Sequence, residues 1–315
     1  MMKNKPTVSI VTITYGHEAF IEDTIKGVFD QQYNGEIEFI IANDNSPDST
    51  DEVVRNYLAK SPTPLNITIK YTKHSENKGM MPNFFWALQQ ATGKYIALCE
   101  GDDYWIDPLK LQKQVDFLEQ NEEYVIHSAK AQVFRDGNLE EIIGNPLNKE
   151  TYTIKDFYTK NNFITCTVLF RNITANFKKI NTKGLLFGDW ILYTQLLDTQ
   201  INSKAYVSND IVSTYQVHSG GIMQNVKKKF DNDIAHFNQI LRIKLYFNPL
   251  YSESDIKRLN DTAIFIAKQY LGKRQYMSFI KTLFQNYQLA GNRIYFKKYL
   301  FLVRYHNQID ISKEY

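Results

Sequence analysis

Thr7-Val8-Ser9-Ile10-Val11-Thr12-Ile13-Thr14 is a continuous β-favouring run without a charge, and Tyr15-Gly16-His17-Glu18 follows it at once. Such a run reads as a strand buried in a parallel sheet, ending in a polar turn. Working outward, Phe20, Ile21, Ile25 and Val28 fall on one side of a helix, and residues 37–42 form a second apolar run. Ser46-Pro47-Asp48 opens another helix, with the proline in its first turn and Val53, Tyr57 and Leu58 as its buried stripe. Residues 66–71 read as a third strand, 82–91 as a helix closed by Gly93, and 95–99 as a fourth strand. This β-α-β-α rhythm predicts an α/β fold, a mostly parallel sheet flanked by helices.

Ligands of such sheets sit outside the carboxyl ends of the strands. Three polar clusters fall there: residues 14–18, Asn43-Asp44-Asn45, and Glu100-Gly101-Asp102-Asp103. Further on, a helix is expected over 108–121, with Leu111, Val115 and Leu118 inward. Strands are expected over 125–134, 165–170 and 211–217, and a helix over 187–197. His218-Ser219-Gly220-Gly221 then marks a boundary. Beyond it Phe230, Ile234, Phe237, Leu241 and Leu245 recur at helical spacing, and Ser254 is placed to cap a second helix bearing Ile256, Leu259, Ala263 and Ile266. Tyr276, Phe279, Ile280 and Leu283 mark a third helix, and residues 294–305 a fourth. The expected organisation is a catalytic domain over 1–221 and a helical domain over 222–315.

Charge divides the same way. Residues 221–315 carry 16 Lys/Arg against 7 Asp/Glu, a net of +9, which leaves −6 for residues 1–220. The surplus reads either as a solvated helical face or as a surface for a different partner, such as anionic lipid. Its cations are dispersed among core-spaced apolar residues, which argues against nucleic acid. No segment has the ~18 apolar residues of a membrane span, and the start lacks a signal-peptide pattern. A cytoplasmic protein is expected, in reach of the inner membrane face. Cys99 and Cys166 lie in apolar segments and are expected as buried thiols.

The chemistry rests on a few side chains. Glu100, Asp102 and Asp103 follow an apolar strand, and their repulsion is relieved by a hard cation. His218 can complete a metal shell. Asp189, between Gly188 and Trp190, suits a desolvated general base or a helix cap. Asp44 could accept a hydrogen bond from a base N–H or organise its own turn.

Taken jointly, these stretches resemble the family 2 glycosyltransferases with their GT-A fold, across about residues 6–220. The resemblance rests on residues 8–15, Asn43-Asp44-Asn45-Ser46 with Asp48-Ser49-Thr50, Asn77-Lys78-Gly79 with Asn83, Glu100-Gly101-Asp102-Asp103-Tyr104-Trp105, Gly188-Asp189-Trp190 and Tyr215-Gln216-Val217-His218. It implies an inverting transfer from a nucleotide-sugar, by family habit a UDP-sugar, to a glycan or lipid-linked acceptor in bacterial surface polysaccharide synthesis. Thr14, Tyr15, Glu18 and Asp44 would hold the nucleoside. Asn77, Gly79 and Asn83 would shape the donor wall. Glu100 and Asp102 stand in the Asp-x-Asp positions of the family. Asp102, Asp103 and His218 would hold Mn²⁺ or Mg²⁺, and Asp189 would be the acceptor base. The chain departs from the family pattern at Ile13, Gly16, Asn43, Asn45, Pro82, Glu100 and Gln216. Two other readings are a metal-dependent nucleotidyltransferase and a non-catalytic carbohydrate-binding relative. The turn after the first strand has one glycine and no Lys or Arg, which disfavours the first; the full set of Asp102, Asp103, Asp189 and His218 disfavours the second.

Overall fold

Every side chain from Val8 to Thr12 is buried, because the strand that carries them, β1 (Lys5–Thr14), is covered on both faces and paired on both edges. The computed structural model describes residues 5–305, apart from 136, 174, 176, 178, 180, 182–184 and 222–228. Two compact units make up the chain, Met1–Gly221 and Ile222–Tyr315.

In the first unit β1 pairs in parallel with β2 (Gly35–Asn43), which pairs in parallel with β3 (Ile67–Lys73). On its other edge β1 pairs in parallel with β4 (Tyr95–Leu98). The remaining strands are β5 (Tyr104–Trp105), β6 (Tyr124–Arg135), β7 (Asn138–Ile143), β8 (Thr151–Tyr152), β9 (Leu169–Arg171) and β10 (Lys204–Val217). The sheet runs β3-β2-β1-β4-β9-β6-β10-β5, with β7 on β6 and β8 on β10. β9 is antiparallel to both its neighbours, and β6 and β10 are parallel.

One core cluster joins Val8, Ile10 and Phe39 of the sheet to Ile21, Ile25 and Val28 of α1 (Ile21–Phe29), Val54 of α2 (Thr50–Lys60), and Leu111, Val115 and Leu118 of α4 (Lys110–Gln120). α3 (Met80–Gln89) contacts β1 and β2 and adds none of its buried residues to that cluster. α5 (Gly188–Asp198) is buried along most of its length.

Several boundaries differ from the sequence expectation. α2 begins at Thr50, so Pro47 lies before its first turn. The reason is Asp48, whose Oδ1 accepts from the Thr50 amide at 3.1 Å and hydroxyl at 2.6 Å, holding the preceding loop open. The expected strand over 165–170 is a 3₁₀ turn, Thr165–Thr167, followed by β9. There Thr167 turns its hydroxyl back onto the Ile164 carbonyl at 2.8 Å, a local bond that competes with the ladder. β7 has no alternation to announce it: Leu139 and Ile142 are both exposed. Cys99 and Cys166 are free thiols, both buried.

The second unit holds α6 (Lys229–Phe247), α7 (Glu253–Gly272), α8 (Tyr276–Ala290) and α9 (Phe296–Arg304). The cap of α7 is Ser252, two residues before the expected Ser254, because Asp255 completes a capping box with it. Of the expected stripe of α6, Phe237 is buried and Leu245 exposed, and Ile240 and Ile243 are buried as well; the side chain of Phe230 lies outside the described residues. Ala267, Leu271, Phe279, Tyr299 and Leu302 form a small core. Beside it buried Asn260 accepts from the Tyr295 amide and from Asn286, both at 3.0 Å. No helix among the described residues is long and apolar enough to cross a membrane.

Candidate active site

β1 brings its neighbours to one rim. The Asp44 amide donates to the Thr14 carbonyl at 3.0 Å, so the segment after β2 is pinned beside the end of β1. On the other side the amides of Cys99 and Gly101 donate to Val11 and Ile13 at 3.2 and 2.9 Å, which extends the pairing of β4 into the acidic loop. Residues remote in the chain therefore meet where the parallel strands end.

The acidic loop is held from behind. Trp105 is buried and its indole N–H donates to the Cys166 carbonyl at 2.8 Å, with the Lys110 ammonium 4.2 Å over its ring. The Thr24 hydroxyl of α1 donates to the Asp103 carbonyl at 2.7 Å. From the front, Gly101 touches Thr14: a Cβ there would lie 2.7 Å from the Thr14 side chain and 3.1 Å from His17 Nδ1. Gly101→Ala should push the loop off β1, with an overpacking cost of about 1–3 kcal/mol. A thermal melt checks this; an unchanged melting temperature and activity would mean the close approach is unimportant.

Successive residues of the loop face different ways. Asp102 Oδ2 lies 3.1 Å from His218 Nε2 and 3.7 Å from His17 Nε2. One ligand atom from each of the three lies within 4.8 Å of the others, a spacing a single cation can bridge. The His218 ring packs on Phe20, centroids 4.5 Å apart, and meets His17 edge-on. Burial would raise the Asp102 carboxyl, but the hydrogen bond to His218 and the charges of His17 and His218 outweigh it and hold it below the usual range. Burial lowers His17, against the pull of Asp102, and so favours the neutral imidazole that ligates metals.

Asp103, expected as a metal ligand, points elsewhere. It is 3% exposed, and its Oδ1 accepts the Gln216 amide at 2.9 Å. Burial and the charges of Asp102 and Glu100 raise its carboxyl well above the ordinary range. Its place is that of a clamp, fastening the acidic loop to β10 two residues before His218. His17 stands in the cluster that the sequence expectation gave to Asp103.

Glu100 opens the acidic loop. Burial pushes its carboxyl up to about 8, helped by the charges of Asp102 and then Asp189, while hydrogen bonding from Thr165 pulls the other way. Its carboxyl is thus within electrostatic reach of both Asp102 and Asp189. Asp189 sits in the first turn of α5, where Gly188 passes so close to Met81 that a Cβ would meet its sulfur. Its Oδ2 accepts from Asn161 Nδ2 at 2.6 Å and Thr165 Oγ1 at 3.3 Å. Burial raises the Asp189 carboxyl; bonds from the Trp190 amide, Thr165 and Asn161 only partly offset this.

The other expected residues are spread along the rim. Tyr15 is 48% exposed, and Glu18, also exposed, accepts the Ser49 amide at 2.8 Å. Asp44 is buried, its two oxygens accepting the Lys78 and Gly79 amides at 2.7 and 2.9 Å. Asn77 Oδ1 accepts the same Gly79 amide at 2.8 Å. Gly79 adopts φ +89°, a conformation that glycine takes without strain, as it opens α3. Asn83 points inward, donating to the Ala42 carbonyl and meeting His74 Nε2 at 2.9 Å. Three atoms at the rim, Thr14 Oγ1, His17 Nδ1 and Glu100 Oε2, are buried without a hydrogen-bond partner among the described residues. Buried polar groups normally have partners, so three orphans at one rim suit a ligand-binding site.

Residues 9–176 match the family model described as "Glycosyl transferase family 2". An uncharacterised protein of Mycobacterium tuberculosis is 30% identical over 239 residues, which cover 73% of this chain and 65% of that protein. The chain thus spans a little under two thirds of this relative. The putative teichuronic acid biosynthesis glycosyltransferase TuaG of Bacillus subtilis is 29% identical over 76% of this chain and 90% of its own. Among solved structures, S. aureus TarS (residues 1–349, in complex with UDP-GlcNAc) superposes with a TM-score of 0.64 at 16% identity, covering 97% of this chain and 88% of the other. The mannosyltransferase PcManGT of Pyrobaculum calidifontis, in complex with GDP-Man and Mn²⁺, gives 0.56 at 15% identity over 97% and 81%. These likenesses establish a GT-A fold.

Proposed function

Since the chain belongs to glycosyl transferase family 2, we propose that it moves a sugar from a nucleoside-diphosphate donor, a UDP-sugar foremost, to a hydroxyl of a glycan or lipid-linked acceptor in bacterial surface polysaccharide synthesis. The observation that carries this reading is the acidic loop: an imidazole–carboxylate cluster gathers on its Asp102, and a desolvated carboxylate, Asp189, lies within electrostatic reach of its Glu100. The name of TuaG supports a polysaccharide role, and the ligand of TarS supports a uridine donor.

His17, Asp102 and His218 fit a divalent cation: their ligand atoms converge, and His17 is biased to its neutral form. Two imidazoles beside one carboxylate suit a divalent transition ion better than Mg²⁺, which prefers oxygen. Such an ion supplies Lewis-acid stabilisation to a departing diphosphate. The chain's own groups do the rest. Tyr15, Glu18 and Thr14 hold the nucleoside along the end of β1. Asp44 tethers Lys78 and Gly79, so that Asn77 and Gly79 shape the donor wall, with Asn83 fixing it from behind. Asp189 accepts the proton of the acceptor hydroxyl as that oxygen bonds to the anomeric carbon. The bond from that carbon to the diphosphate breaks, and its electron pair leaves with the diphosphate. A single in-line attack inverts the configuration.

A panel of nucleotide-sugars, incubated with the chain and Mn²⁺, tests the reading by the product released. Nucleoside diphosphate from one donor, lost with EDTA, is the expected result. Pyrophosphate, or no turnover of any donor, would overturn it.

A further inference from the structure

α8 is apolar on two faces, and its own unit uses one of them. Phe279, Thr282, Asn286 and Leu289 are buried against the rest of the second unit. Met277, Ile280, Phe284 and Tyr287 are exposed, Met277 at 79% and Phe284 at 64%. At about 100° per residue the two sets fall on nearly opposite sides of the helix. A surface helix ordinarily carries polar residues on its outer side, so an outward apolar stripe calls for a partner. α9 repeats the pattern: Tyr299 and Leu302 face inward, while Phe296 and Leu300 are exposed.

Charge selects that partner. Residues 273–305 hold seven Lys/Arg and no Asp or Glu. Lys281 follows the stripe of α8, and Lys297 and Arg304 flank that of α9; all three are exposed. A second copy of the chain docked symmetrically would set these cations against themselves. An anionic bilayer takes both features at once, accepting apolar side chains below the headgroups and pairing its phosphates with Lys and Arg. Tyr287, with an apolar ring and a polar hydroxyl, suits the boundary between the two.

We propose that α8 and α9 rest in the headgroup layer of an anionic membrane, with their apolar stripes inserted and Lys281, Lys297 and Arg304 on lipid phosphates. No helix among the described residues is long and apolar enough to cross the bilayer. The inference stands apart from the proposed transfer reaction, because no residue of the first unit enters it.

Sedimentation of the full chain with vesicles tests it, using phosphatidylcholine alone and phosphatidylcholine mixed with phosphatidylglycerol. The chain should pellet with the mixed vesicles and stay in solution with the neutral ones. Each cation near an anionic surface is worth about fivefold in partitioning, so Lys281→Gln with Lys297→Gln should weaken binding about 30-fold. Met277→Gln with Phe284→Gln should abolish it, with the thermal melt unchanged because all four positions are exposed. Failure of the wild-type chain to pellet with mixed vesicles would overturn the proposal. So would equal binding by the lysine variant, or a stable dimer in solution that Phe284→Gln converts to monomer.

Discussion

Asp189→Asn should lower sugar transfer by about 10²–10⁴, the usual worth of general-base assistance, while donor binding stays close to wild type. The substitution keeps the shape of the side chain and lets the new carboxamide oxygen accept the bonds from Asn161 and Thr165 that hold Asp189. The fold should survive as well. Burial raises the Asp189 carboxyl, so its ionised form is disfavoured in the folded chain and weighs against stability at neutral pH. A neutral amide removes that cost, and the variant should melt at or above the wild-type temperature. A base must be ionised to take a proton, so kcat/KM of the wild type should fall as pH drops through the raised Asp189 pKa. That acid limb belongs above the ~3.9 of a free aspartate. The pH profile and the transfer rate of the variant check the assignment; wild-type turnover by Asp189→Asn would contradict it.

Asp102→Ala should be as damaging by another route. Asp102 is the carboxylate shared by His17 and His218, and its removal leaves two imidazoles to hold any cation. Loss of stabilisation for the leaving diphosphate should cost at least about 10²-fold in rate. Raising the Mn²⁺ concentration should recover little of it, and the response of the rate to metal should flatten. Asp103→Asn should behave differently, because Asp103 acts through the Gln216 amide. It should loosen the seat of His218 and weaken the metal response without abolishing it. Equal and total loss in both variants would mean that Asp103 is itself a ligand.

The sheet was readable because its strands are apolar and its turns polar: β1, β2 and β4 run almost as their residues suggest, and the three polar clusters meet at their ends. What the chain order hides is direction within a cluster. Asp102 and Asp103 are adjacent and chemically alike, yet in the fold, where β5 pairs with β10, one meets His218 and the other the Gln216 amide. His17 lies in a polar turn that sequence reading does single out, yet its neighbours there, Tyr15 and Glu18, are as polar as it is. Its place beside Asp102 appears once Gly101 brings the loops together. Asn161 and Thr165, which hold Asp189, come from a loop and a 3₁₀ turn with no periodicity to betray them. The cap of α7 fell two residues early for a related reason: Ser252 and Ser254 are equivalent by type, and Asp255 chooses between them.

Titration of Mn²⁺ into the purified chain, followed by the loss of its free paramagnetic signal, tests the cation cluster most directly. A single site in the wild type, weakened in His17→Ala and lost in Asp102→Ala, is what the geometry of His17, Asp102 and His218 requires. Stoichiometric Mn²⁺ binding that survives Asp102→Ala unchanged, or no binding by the wild type even with a nucleoside diphosphate present, would contradict it.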